Sequence, residues 1–195
     1  MEDPTRAKTR DIARTAIRAE LAQAAIELFR REGFDQVTLN DVAAAAGVSR
    51  STFLRYFGSK EEAVLGAMDD LGAQAAVALC ARPYGEGDWT ALRRCLDPFI
   101  DAYRADPSGS LAITRLIQES PALRNRQLEK QASWLPALTR VLTDRSSRPD
   151  PLVAAVRAAA ALDCLSIAVT HWSASNGGED LAALLDQAFS AFATT

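Results

Sequence analysis

Residues 38–62 read TLNDVAAAAGVSRSTFLRYFGSKEE, and the fold turns on this stretch. Thr38 or Asn40 can cap the N-terminus of a helix that carries Val42, Ala43 and Ala46 on its buried side. Gly47 supplies a backbone able to take positive φ where that helix must stop. Val48 packs into the angle, and Ser49 is placed to cap a second helix running from Arg50 to Phe57. There Phe53 and Phe57 form the apolar side, while Arg50, Ser51, Thr52, Arg55 and Tyr56 form the polar one. Two short helices about a glycine turn, the second with a polar outer face, make the pattern of a helix-turn-helix that reads DNA.

Residues 12–66 resemble the DNA-binding domain of the TetR family of bacterial transcriptional regulators. The resemblance rests on LFRREGFDQVTLNDVA (28–43), AGVSRSTF (46–53) and YFGSKEE (56–62), many fixed positions at fixed spacing. It implies an all-α protein of about nine helices: an N-terminal three-helix DNA-binding domain with a helix-turn-helix, then a C-terminal helical ligand-binding and dimerisation domain. It also implies DNA contacts at the positions matching Thr38, Ser51, Thr52, Tyr56 and Lys60. One position departs from the pattern: Leu54 stands where many members carry a tyrosine that touches phosphate. Arg55 and Tyr56 are therefore the better candidates.

Residue chemistry gives the same set. Arg50 and Arg55 can each grip guanine O6 and N7 with two hydrogen bonds. Thr52 offers a methyl to thymine or a hydroxyl to phosphate, and Tyr56 and Lys60 suit phosphate. Thr38, at a helix N-terminus, can present hydroxyl and backbone N–H groups to another phosphate. With Ser49 these residues form the expected DNA-binding surface. Arg6, Lys8 and Arg10 of a polar N-terminal arm are candidates for minor-groove or backbone contact.

Charge distribution agrees. The chain of 195 residues has a formal net charge of −3, yet residues 1–60 hold 10 Lys/Arg against 8 Asp/Glu and the remainder 12 against 17. Local rather than total charge governs phosphate binding. Cys80, Cys95 and Cys164 lie far apart with a single histidine, so neither a metal site nor a cofactor is expected, and an odd count suits a reducing cytoplasm. No nucleophile elbow, Walker lysine or dinucleotide fingerprint is present, which argues against an enzyme. The N-terminus lacks the apolar core of a signal peptide, and Arg157 and Asp163 interrupt the most apolar run. The expected location is cytoplasmic, away from the membrane.

The chain divides into residues 1–58, the arm and DNA-binding domain, and 59–195, the regulatory and dimerisation domain. A first helix is expected over 12–32, and a connector from Ser59 towards Cys80. Helices follow over about 88–105, 110–119, 121–144, 152–173 and 179–193, separated by Pro/Gly/Ser-rich turns. On the last two, Val156, Ala160, Cys164 and Ile167, with Leu181, Leu184, Leu185 and Phe189, recur at helical spacing and are candidates for a homodimer interface. Candidate ligand contacts are Phe99, Tyr103, Arg115, Gln118, Trp134, His171 and Trp172. The expected function is a repressor that binds double-stranded DNA at a palindromic operator as a homodimer. A small, largely apolar organic effector would release it. The alternative is a ligand-independent or architectural DNA-binding protein whose C-terminal domain only dimerises.

Overall fold

The computed structural model describes residues 4–192, with side chains from Ile12 onward. Its helices are α1 (Pro4–Glu32), α2 (Leu39–Ala45), α3 (Arg50–Phe57), α4 (Lys60–Leu65), α5 (Leu71–Cys80), α6 (Asp88–Cys95), α7 (Asp97–Ala105), α8 (Pro107–Glu119), α9 (Pro121–Arg145), α10 (Pro151–Ala174) and α11 (Leu181–Ser190). A 3₁₀ turn at Gly66–Met68 links α4 to α5, and Leu96 alone divides α6 from α7. Taken as bent rods these make nine helices, and no strand occurs among the described residues. The expected all-α architecture is the one observed.

Two expectations need correction. Helix α1 starts at Pro4 rather than at residue 12, so the arm's backbone is helical from that point. Proline suits a first helical position, and the Ala, Arg and Lys that follow are good helix formers. The side chains of Arg6, Lys8 and Arg10 lie outside the described residues. The connector, expected as one helix, is broken at Gly66–Met68.

Most helix starts carry a side-chain cap. Ser49 accepts from Thr52 N–H, Ser59 from Glu62 N–H, and Ser120 from Leu123 N–H. Asp106, Asp150 and Asp180 cap α8, α10 and α11, and proline takes the first position of α8, α9 and α10. These side chains satisfy amide groups that no intrahelical partner reaches.

Two cores result. The first joins Leu21, Leu28 and Phe29 of α1 to Phe34, Val37, Val42, Phe53 and Phe57, and includes Ala63, Val64 and Leu65 of α4. Leu116, Ile117 and Leu123, from the α8–α9 corner, complete it. The second core is built from α5–α7 and α9–α11, and Met68 packs against both. Helix α5 approaches α9 so closely that a Cβ on Gly72 would stand 2.1 Å from Trp134 Cδ1. Only glycine fits there. Helix α10 buries Ala154, Ala158, Ala161, Leu165, Ala168 and Trp172, so much of its apolar character faces the second core.

Candidate functional site

Helices α2 and α3 meet at Gly47, whose φ of +68° is open to glycine and strained for other residues. Thr38 closes a capping box on α2: its hydroxyl accepts from Asp41 N–H at 3.3 Å, and its own N–H donates to Asp41 Oδ2 at 2.9 Å. The Thr38 hydroxyl lies 2.6 Å from the same carboxylate. That hydroxyl contact, helped by the N–H, holds the Asp41 carboxyl below its ordinary value. Ser49 is similarly engaged, its hydroxyl 3.0 Å from both Ser51 Oγ and Thr52 Oγ1.

Phe53 and Phe57 anchor α3 in the first core, which fixes the outward direction of its other face. Arg50, Ser51 and Arg55 are exposed on that face, with Thr52 and Tyr56 half-buried beside them. The Arg55 guanidinium lies over the Tyr56 ring at 5.9 Å. Lys60 is a correction. Its ammonium turns inward, donating to the Phe34 and Val37 carbonyls at 2.8 and 3.0 Å and lying over the Phe34 ring. It ties the α1–α2 loop to α4 instead of facing outward with Arg50 and Arg55.

A cavity of about 350 Å³ opens between the connector, α7–α10 and the α8–α9 corner. Val64, Met68, Leu71, Phe99, Ile113, Ile117, Leu165 and Val169 make most of its wall. Tyr103, Ser110, Thr114, Gln118, Arg124, Gln127, Gln131, Ser166 and Thr170 supply its polar groups. Tyr103 Oη lies 3.3 Å from Thr114 Oγ1, and burial raises the phenol's pKa. Of the expected ligand contacts, Phe99, Tyr103 and Gln118 line this cavity. The other four do not. Trp134 packs in the core against Phe99 and Gly72, and Trp172 stacks edge-on behind Tyr103 at 5.1 Å. Arg115 lines a neighbouring surface depression, and His171 is exposed on α10.

Val64, Met68 and Ile117 belong at once to the cavity wall and to the first core or its immediate packing. A chain of ion pairs crosses the same boundary. Lys130 of α9, only 9% exposed, donates to Glu62 Oε2 of α4 at 2.8 Å and to Asp69 beyond the 3₁₀ turn. Arg126 grips Glu62 Oε1 at 2.7 and 2.9 Å, and Arg18 of α1 reaches Asp69 at 3.5 Å. Burial is the largest single influence on Glu62 and would raise its pKa. The hydrogen bonds from Lys130 and Arg126, with the Lys130 charge, outweigh it and hold the carboxyl below its ordinary value. Nearby, Ser120 Oγ donates to Asp35 Oδ1 at 3.0 Å, pinning the α8–α9 corner to the α1–α2 loop. Sequence reading missed this network, although one signal was available: Lys130 falls on the α9 stripe that buries Leu123, Trp134 and Leu138.

The expected interface stripes divide. Val156 and Ile167 are 61% and 55% exposed, beside Leu152 at 74%. Cys164, Leu181, Leu185 and Phe189 are buried in the chain's own core, with Ala160 and Leu184 half-buried. Seven residues return a helix to within about 20° of its starting direction, whereas eight overshoot by about 80°. Cys164, eight past Val156, therefore swings inward.

Residues 21–66 match the model for bacterial regulatory proteins of the tetR family, and residues 87–195 match the MftR C-terminal domain. The chain is 28% identical over 144 residues to the HTH-type transcriptional regulator TcmR of Streptomyces glaucescens, covering 71% of this chain and 63% of the relative. It is 26% identical over 141 residues to the HTH-type transcriptional regulator EthR of Mycolicibacterium smegmatis, covering 70% and 65%. The aligned part thus spans a little under two thirds of each relative's length. In fold it is similar to FadR from Bacillus subtilis, solved in complex with stearoyl-CoA (TM-score 0.59, 19% identity, covering 88% of this chain and 95% of that one).

Proposed function

Since this chain belongs to the TetR family of bacterial regulatory proteins, we propose that it is a cytoplasmic repressor that binds a palindromic operator as a homodimer and is released by a small molecule. It is a DNA-binding regulator and not an enzyme. Residues 1–58 form the reading unit and 59–195 the regulatory one. Arg50, Ser51 and Arg55 read bases or phosphates, with Thr52, Tyr56 and the N-terminus of α2 at Thr38 as supporting contacts. One helix in one groove binds weakly, so two copies are needed, joined along the exposed Leu152, Val156 and Ile167 face of α10.

The observation that carries the ligand-responsive reading is the shared wall: Val64, Met68 and Ile117 border the cavity and pack with the core beneath α3. A ligand that favours one arrangement of this wall shifts the separation of the two α3 helices, provided its affinity differs between the arrangements. The Lys130–Glu62–Arg126 cluster carries the displacement of α9 to α4. This favours a ligand-responsive regulator over one whose C-terminal domain only dimerises.

The test is a fluorescence-polarisation titration of the protein against a duplex from its own upstream region, beside a scrambled duplex, at two salt concentrations. Tighter binding to the upstream duplex is expected, with a salt-dependent component common to both. Equal binding to every upstream and scrambled duplex tried would overturn the sequence-reading role.

A further inference from the structure

The polar edge of the cavity has a composition that the repressor reading does not use. Gln118, Arg124 and Thr170 line both the apolar cavity and an adjoining surface depression that also holds Arg115, Ser173 and Asn176. Among the described residues no aspartate or glutamate lines either one. Arg124 donates to the Gln118 carbonyl and Arg115 to Asn176 Oδ1, both neutral acceptors, and neither arginine has an ion-pair partner among the described residues. Some arginines elsewhere on the surface find carboxylates, Arg18, Arg82, Arg93, Arg104, Arg126 and Arg157 among them. Exposed Arg94, Arg140 and Arg148 also have no ion pair among the described residues, and what sets Arg124 and Arg115 apart is their place beside an apolar cavity. Arg124 thus stands at the edge of the apolar cavity and Arg115 in the depression that adjoins it, neither with a counter-ion among the described residues.

We propose that the cavity takes an amphipathic anion, its apolar tail between the connector and α10 and its carboxylate or phosphate head held by Arg124 and Arg115. The inference rests on the ligand-responsive reading above and adds the chemical class of the ligand. The guanidinium fork matches the paired oxygens of either head group, and charge-assisted bonds of this kind are about twice as strong as neutral ones. A neutral apolar ligand would leave both cations unused, and a cationic one would be repelled by them. The cavity, at about 350 Å³, lies at the small end of ligand pockets, which suits a single medium-length chain.

The experiment is calorimetric titration of the full chain with decanoate, decyl phosphate, decanol and decylamine, repeated with Arg124→Gln and Arg115→Gln. Both arginines are exposed, and far-UV circular dichroism would check that the variants fold. Decanoate or decyl phosphate should bind at least tenfold tighter than decanol, and the stronger of the two names the head group. Each substitution should weaken the anions about tenfold and leave decanol unchanged. Shortening decanoate should cost about fourfold per methylene as the tail leaves the apolar wall. Decanol binding as tightly as both anions, both substitutions weakening all four probes alike, or neither anion binding at millimolar concentration would overturn the assignment. The same probes added to a preformed protein–operator complex separate the two claims. An anion that binds as described without releasing DNA refutes the release step alone. Equal release by decanol and decanoate refutes the anion assignment alone.

Discussion

Replacing Lys130 with methionine removes the cation that joins α9 to the connector and keeps most of the packing of its aliphatic stem. Glu62 would retain Arg126, and Asp69 would retain, among the described residues, only Arg18 at 3.5 Å. Removing one partner of a fully buried pair costs about 3–5 kcal/mol. Here the Glu62 side chain is 17% exposed and Asp69 43%, so solvent and the second guanidinium reduce the loss to about 1.5–3 kcal/mol. For a chain of this length that lowers Tm by roughly 3–12 °C. The pH dependence carries the sharper test. The Glu62 carboxyl is depressed in the folded state, so its contribution is fully present above its ordinary value of 4.5 and is lost as pH falls through the depressed one. The difference between wild type and variant, read by thermal circular dichroism, should be widest near neutrality and narrow in acid. In a cycle with Glu62→Gln, the double variant should lose less than the sum of the two singles. A difference that stays constant with pH, or strictly additive losses, would refute the pairing.

Arg55→Ala should weaken operator binding by about 1–3 kcal/mol, roughly five- to two-hundred-fold by fluorescence polarisation, and leave Tm almost unchanged because the side chain is exposed. Ile167→Glu places a charge on the exposed α10 face and should shift the protein to a monomer in sedimentation-velocity runs; an unchanged dimer would move the interface elsewhere. Gly72→Ala forces a methyl into the Trp134 ring and should cost about 1–3 kcal/mol in chemical denaturation, with a perturbed near-UV tryptophan signal. Maleimide should label Cys80 alone in the native protein, because Cys95 and Cys164 are buried and burial pushes the Cys95 thiol up to about 12. Stoichiometric labelling of all three without denaturant would contradict this.

The helix-turn-helix was legible because its determinants are local. The Thr38 and Ser49 caps, the Gly47 turn and the Phe53/Phe57 spacing all act within a few residues of where they stand. What failed depends on distant chain. Lys60 reads as a surface cation until Phe34 and Val37, 26 and 23 residues earlier, bring their carbonyls under it. Likewise, nothing local separates a tryptophan lining a cavity from one behind its wall: Trp172 is set back by Tyr103, and Trp134 is drawn into the core by the absence of a side chain on Gly72. On α10 the apolar residues run nearly all round, so spacing alone could not distinguish the face turned to the core from the face left open.

The α8–α9 corner bears on how such proteins can be recombined. Leu116, Ile117 and Leu123 complete the core beneath α3, and each contributes about 1.5–3 kcal/mol by its burial. A chimera that transplants only residues up to the connector onto a foreign sensor would leave that apolar underside without its plug. Exchange of specificity between homologues should therefore succeed when the corner travels with the reading head, or when the recipient offers side chains of matching volume. Otherwise the graft would fold loosely and lose cooperativity in unfolding.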